Sequence, residues 1–139
     1  MNAIDTNIYL YAIDDAEPVK QRKAIDLLDR LEPRRSPVVL PWQVAVEYLN
    51  GLRRWARSGK VAAGRVESQL EELLAIFPLA FPTRDVFGIS LSLSSKYSLS
   101  HWDSMLLAAC IDARVTTLYS EDLSDGMTYE SVTVINPLK

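Results

Sequence analysis

Four acids in this 139-residue chain stand where strands and helices meet: Asp5, Glu47, Asp103 and Asp122. In open α/β sheets, ligands bind beyond the carboxyl ends of the strands, so the place of each acid on its element is the first question. Asp5 directly follows a very short strand, Ala3–Ile4, and Asp122 follows the β-branched stretch Val115–Tyr119. Asp103 falls in the first turn of a helix, and Glu47 sits two turns into another. From these positions carboxylates on separate elements can converge on one crevice. Each also suits a plainer role. Asp5 can cap a helix, Ser100 and Asp103 form a capping box, Asp122 and Asp125 lie in a turn before Gly126, and Glu47 fits a helix surface.

Helix geometry refines the case of Glu47. At about 100° per residue, Trp42, Ala45, Val46 and Leu49 share an expected core face. Glu47 then projects near the edge of the Val44, Tyr48 and Trp55 side. Gly51, one turn on, costs about 1 kcal/mol of helix propensity and clears space above the carboxylate. Arg54 returns to the same face about 10 Å along the axis. An acid, a gap and a base in one row suit a metal and a phosphate chain; they suit ordinary surface placement equally. Trp42, Tyr48, Leu52 and Trp55 also make this helix apolar over an arc wider than one core face needs. That implies either burial on two sides or a groove for a partner helix or a second copy of the chain.

The elements that must position these residues alternate. Asp5-Thr6-Asn7 starts a helix carrying Ile8, Leu10 and Tyr11. Pro18 opens a second, whose Ala24, Leu27, Leu28 and Leu31 keep the spacing of one buried stripe. Val38–Leu40, between prolines, reads as a short buried strand, and Pro41 opens a helix that stops near Ser58-Gly59. A helix with Val66, Leu70 and Leu73 follows, then a strand candidate within 76–81 that Pro78 weakens. Thr83 and Ser100 cap two more helices. Val115–Tyr119 and Val132–Ile135 close the chain as strands. Such alternation predicts a single α/β domain over 1–139, three-layered, with a central parallel sheet flanked by helices.

Length and composition agree with one globular domain large enough to bury a core. No apolar run reaches the roughly 20 residues of a membrane span, and no basic, cleavable leader precedes Asp5, so a cytoplasmic protein is expected. The single cysteine, Cys110, excludes a disulfide framework and a cysteine-based zinc site. The net charge of −3 hides a gradient. Residues 34–65 hold seven basic residues and one acid, whereas 99–139 hold six acids and two basic residues. Local fields of this kind, rather than the total, attract polyanions.

Asp5-Thr6-Asn7, Glu47 within a helix, Ser100-His101-Trp102-Asp103-Ser104, Ser120-Glu121-Asp122-Leu123 and Ile135-Asn136-Pro137 together resemble the PIN-domain family, and more narrowly its VapC-type toxins. The resemblance lies in order and spacing from Asp5 to Pro137. It implies a parallel sheet flanked by helices and an acidic site binding Mg²⁺ or Mn²⁺. The implied metal-binding and catalytic acids are Asp5, Glu47, Asp103 and Asp122, with Thr6, Asn7 and Ser120 in support. Asp125 competes with Asp122 for the fourth place. Ser104 stands where the family usually has alanine, and Ser120 where it often has threonine.

The resemblance further implies an endoribonuclease, the toxin of a type II toxin–antitoxin pair, with RNA as substrate and a protein antitoxin and a second copy of itself as partners. Hard divalent cations prefer oxygen ligands, and four uncompensated carboxylates repel one another by about 4 kcal/mol per close pair. A metal-activated water would hydrolyse the phosphodiester without a histidine base, so His101 reads as an exposed neighbour of the capping turn. Arg53, Arg54 and Arg57, within the basic run to Lys60, would hold the RNA backbone. Alternatives are a PIN-like domain acting on other nucleic acid and a catalytically silent RNA-binding scaffold. A receiver-like phosphoacceptor domain would need a lysine after a late strand, and only Lys139 is on offer.

Overall fold

The computed structural model describes residues 1–31 and 34–139. Its elements run β1 (Asn2–Ile4), α1 (Thr6–Ala12), α2 (Pro18–Arg30), β2 (Leu40–Pro41), α3 (Trp42–Arg57), α4 (Arg65–Ile76), β3 (Leu79–Ala80), α5 (Asp85–Tyr97), α6 (His101–Asp112), β4 (Thr117–Tyr119), β5 (Thr128–Tyr129) and β6 (Val132–Ile135). The main sheet has the order β1-β4-β6-β5. Its first three strands are parallel, and β5 returns antiparallel along the edge of β6. The architecture is thus a central, mostly parallel sheet flanked by helices, as the alternation predicts. In β1 the consecutive Ala3 and Ile4 are both fully buried, so that strand is covered on both faces, whereas burial alternates in β4 and β6, with Leu118, Val132 and Val134 inside and Ile135 exposed.

The second strand differs from expectation. Residues 38–40 do run beside β1, through an isolated bridge from Val38 to Asn2 and a 2.9 Å bond from the Val39 N–H to the Asn2 carbonyl. The paired strand proper is Leu40–Pro41, which joins β3 in a separate two-stranded parallel sheet. Pro41 has no N–H to donate, so the ladder ends there, and the same residue caps α3. Pro78 shortens β3 to two residues but still accepts the Leu40 N–H at 2.8 Å.

Helix α3 is rotated from the expected face. Val44, Ala45, Tyr48, Gly51 and Leu52 are its buried residues, whereas Trp42 and Val46 remain 46% and 48% exposed. The reason is packing on the Tyr48 side, where α1 and α4 cover the helix. The Tyr9 ring meets the Tyr48 ring edge-on at 6.3 Å and the Phe77 ring at 5.3 Å. Gly51 also serves a different neighbour than the sequence suggests: a Cβ there would stand 2.8 Å from a methyl of Leu10. The glycine admits α1 against α3 rather than clearing room over Glu47.

Cys110 is wholly buried, and burial pushes its thiol up to about 12, so it acts as a small apolar filler. Among the described residues no helix is long and apolar enough to cross a membrane. Because Tyr48 is core rather than surface, Tyr48→Ala should lower the unfolding free energy by about 3–5 kcal/mol. Urea denaturation measures this; a loss below about 1 kcal/mol would place the ring outside the core.

Candidate active site

Asp5 leaves β1 at the sheet's carboxyl edge and is the N-cap of α1, its carboxylate accepting the Thr6 N–H at 2.7 Å. The cap the sequence offers for Asp5 is therefore formed, and it leaves the second carboxylate oxygen free for another partner. The pairing of β1 with β4 sets Ile4 opposite Tyr119, and the next residue, Ser120, donates its hydroxyl to the other Asp5 oxygen at 2.8 Å. The same hydroxyl oxygen accepts the Asp122 N–H at 3.2 Å. Ser120 thus ties the first acid to the loop that carries the last.

From α1, Thr6 donates its hydroxyl to Glu47 at 2.9 Å, and Asn7 donates to Asp122 at 3.4 Å. Glu47 also accepts from Gln43, one turn earlier on α3, at 3.0 Å. Gln43 reaches on to the carbonyl of Trp102 at 3.2 Å, joining α3 to the first turn of α6 beside Asp103. The sequence reading missed Gln43, although its i, i+4 spacing to Glu47 was the available signal. Asp103 itself bonds through its backbone N–H to the Ser100 hydroxyl at 3.3 Å. No side-chain hydrogen bond joins its carboxylate to the other acids among the described residues, but its charge is felt at Asp122.

The electrostatics follow from this crowding. Burial pushes the Asp5 carboxyl up to about 6. The Ser120 and Thr6 bonds pull it back, and the charges of Asp122 and Glu47 push in the same direction as burial. Asp122 is also raised, first by partial burial and then by Glu121, Asp103 and Glu47. Asp125 lies elsewhere. It accepts the Asn136 N–H at 2.7 Å and pairs with Lys139 at 3.5 Å, which holds its carboxyl below the usual range.

The donor set is all oxygen, which suits a hard divalent cation. Among the described residues no three His, Cys, Asp or Glu side chains form a ready ion cage. The raised values of Asp5 and Asp122 reflect burial first, with the neighbouring carboxylates adding to it.

The basic run divides. Arg53, Arg54 and Arg57 are exposed on the last turns of α3, and none forms an ion pair among the described residues. Lys60 is engaged, bonding buried Asp14 at 2.8 Å and lying over the Trp55 ring. His101 is exposed and stands edge-on to the Trp102 ring.

A family model described as the PIN domain matches residues 3–124. No curated protein matches the chain. Among solved structures, a toxin–antitoxin complex from Klebsiella pneumoniae is 19% identical with a TM-score of 0.70, the match covering 99% of this chain and 98% of that one. VapBC2 from Rickettsia felis, bound to a DNA fragment from its promoter, is 14% identical over 96% of each chain with a TM-score of 0.67. The Mycobacterium tuberculosis toxin VapC20, described as cleaving the sarcin–ricin loop, is 14% identical with a TM-score of 0.67, covering 88% of this chain and 90% of that one. At these identities the likeness is one of fold.

Asp5 should make stability pH-dependent in metal-free buffer. Its ordinary value is 3.8 and its folded value about 6, so between these the native state keeps a proton that the unfolded chain releases. This contribution falls as pH rises through that window, by up to about 3 kcal/mol. Asp5→Asn removes it. Unfolding of both proteins in EDTA at pH values near 4.5 and 7.5 should show the variant gaining on the wild type at the higher pH. A gap between them that does not change with pH would sink the buried-charge account.

Proposed function

The chain belongs to the PIN-domain family, and from that premise we propose that it is a divalent-metal-dependent endoribonuclease, the toxin of a type II toxin–antitoxin pair. The observation that carries the reading is the linked set of Asp5, Glu47 and Asp122, joined through Thr6, Ser120 and Asn7, with the charge of Asp103 within reach of Asp122. The fold shared with a toxin–antitoxin complex and with a toxin described as cleaving the sarcin–ricin loop supports the same reading.

In this proposal Asp5, Glu47, Asp103 and Asp122 hold Mg²⁺ or Mn²⁺, which when bound supplies Lewis acidity toward the phosphoryl oxygen and lowers the pKa of water. Ser120 and the Thr6 N–H fix the orientation of Asp5, while the Thr6 hydroxyl and Gln43 fix Glu47. Asn7 steadies Asp122, whose loop is otherwise exposed. Preorganised ligands of this kind lose little freedom when the substrate arrives. Arg53, Arg54 and Arg57 hold the RNA backbone by charge, a contact that positions without reading sequence.

In this reading the protein works in the cytoplasm beside an antitoxin and pairs with a second copy, and the exposed Trp42, Val46, Phe81 and Trp102 are an apolar surface that a partner would cover. Trp42 stacks on Phe81 at 5.3 Å. With Trp102, Trp42 also borders a cavity of about 250 Å³, so these side chains form more than scattered surface apolarity. The Tyr48 side of α3, which its sequence offers as a partner groove, is filled by the chain's own α1 and α4.

Incubation with total RNA, with Mg²⁺ or Mn²⁺ and with EDTA, tests the reading through the new 5′ ends. Cleavage should require the metal and should fall by at least about a hundredfold in Asp5→Asn and Asp103→Asn, which remove ligand charge at nearly constant shape. Full activity in excess EDTA would overturn the metal mechanism, and folded protein without cleavage would favour a silent RNA-binding scaffold.

A further inference from the structure

The charge pattern of the sequence points to the end of α3 for RNA and passes over Lys20, in the first turn of α2. The fold brings this lysine to the acidic site by a second route. Helix α1 presents Asn7 and Tyr11, one turn apart, to the loop after β4. Asn7 bonds Asp122, and Tyr11 donates its hydroxyl to Glu121 at 2.6 Å. Lys20 then donates to the Tyr11 oxygen at 3.2 Å, stands 3.7 Å from the second Glu121 oxygen and lies over the Tyr11 ring at 4.7 Å. Glu121 is the neighbour of Asp122 in sequence and close enough to raise its pKa.

We infer that Lys20, held by Tyr11 and Glu121 at the rim of the acid cluster, is a binding site for a backbone phosphate of single-stranded RNA passing the acids. The inference rests on the ribonuclease reading above.

Three observations carry it. The ammonium is already ordered by three contacts, so the rotamer entropy of a lysine is largely spent before RNA arrives. Its side chain is nonetheless 41% exposed, and an ammonium has three N–H donors, of which the Tyr11 oxygen and Glu121 occupy at most two. Finally, on the metal-binding reading above, four ionised carboxylates around one divalent cation would retain two negative charges. A polyanion approaching them needs positive charge from the protein, and Lys20 supplies one beside Glu121, the residue next to Asp122 in the chain.

Phosphate contact predicts a salt signature that a structural brace lacks. Fluorescence anisotropy of a labelled single-stranded RNA, with Ca²⁺ replacing Mg²⁺ to prevent turnover, gives the affinity across a KCl series. Lys20→Gln should reduce the slope of log affinity against log salt by about 0.7 and weaken binding about fivefold at 0.1 M salt. Lys20→Arg should restore the slope. Tyr11→Phe, which keeps the charge but removes the hydroxyl that orients it, should keep the slope and weaken binding severalfold. If Lys20→Gln leaves slope and affinity unchanged, or lowers only the melting temperature, Lys20 is a brace for Glu121 and the inference fails while the ribonuclease reading stands. A wild-type protein that does not bind the RNA overturns both.

Discussion

A carboxylate placed at the end of a strand buried on both faces loses its water and must be met by donors, by a proton or by a cation. Asp5 is in that position because β1 is only three residues long and runs straight into α1. The hydrogen bond from its own N–H to the Tyr119 carbonyl, at 2.9 Å, fixes the register of β1 on β4. That register sets Ser120 beside Asp5, and Ser120 in turn holds the backbone of Asp122. Shifting the β1–β4 pairing by one residue would turn every side chain of a strand to the opposite face. The site would disassemble together with the sheet. The chemistry and the core therefore share one constraint.

The helices add charge control to that frame. Asp5, Thr6 and Asn7 are consecutive, yet they serve three different acids, because the start of a helix turns about 100° with each residue. One short segment of α1 thereby governs the first acid, Glu47 on α3 and Asp122 after β4. The close fit of Leu10 against Gly51 is what allows α1 to lie near enough to α3 for Thr6 to reach Glu47. Any larger side chain at 51 would press on Leu10 and act on the site through the packing, without touching an acid.

The sequence makes the alternation of elements legible because short apolar strands and capped amphipathic helices leave strong periodic signals. The N-cap roles of Asp5 and Ser100 are readable for the same reason. The face of α3 is not. Trp42 and Val46 are as apolar as Val44 and Tyr48, and only the positions of α1 and α4 decide which pair is covered. Lys60 and Lys20 show a similar limit for charge. A run of basic residues predicts a positive surface, but Lys60 is drawn to Asp14, forty-six positions earlier, and Lys20 to Glu121, at the far end of the chain. Long-range pairing is invisible to local composition. The bonds of Asp125 to Asn136 and Lys139, and its separation from the other acids, likewise depend on the return of the chain after β6.

Asp103 shows how the cluster can be both tolerated and useful. Its neighbours are already braced: Asp5 by two hydrogen bonds, Glu47 by Thr6 and Gln43, Asp122 by Asn7. Asp103 has instead the first turn of α6, where the unpaired N–H groups and the helix dipole favour negative charge. This stabilisation does not require its carboxylate to accept a hydrogen bond within the cluster. A fully satisfied network of four acids would be more stable and inert. One raised, buried acid and one acid held only by a helix end leave the set short of donors, the condition under which a carboxylate cluster takes up a proton or a cation.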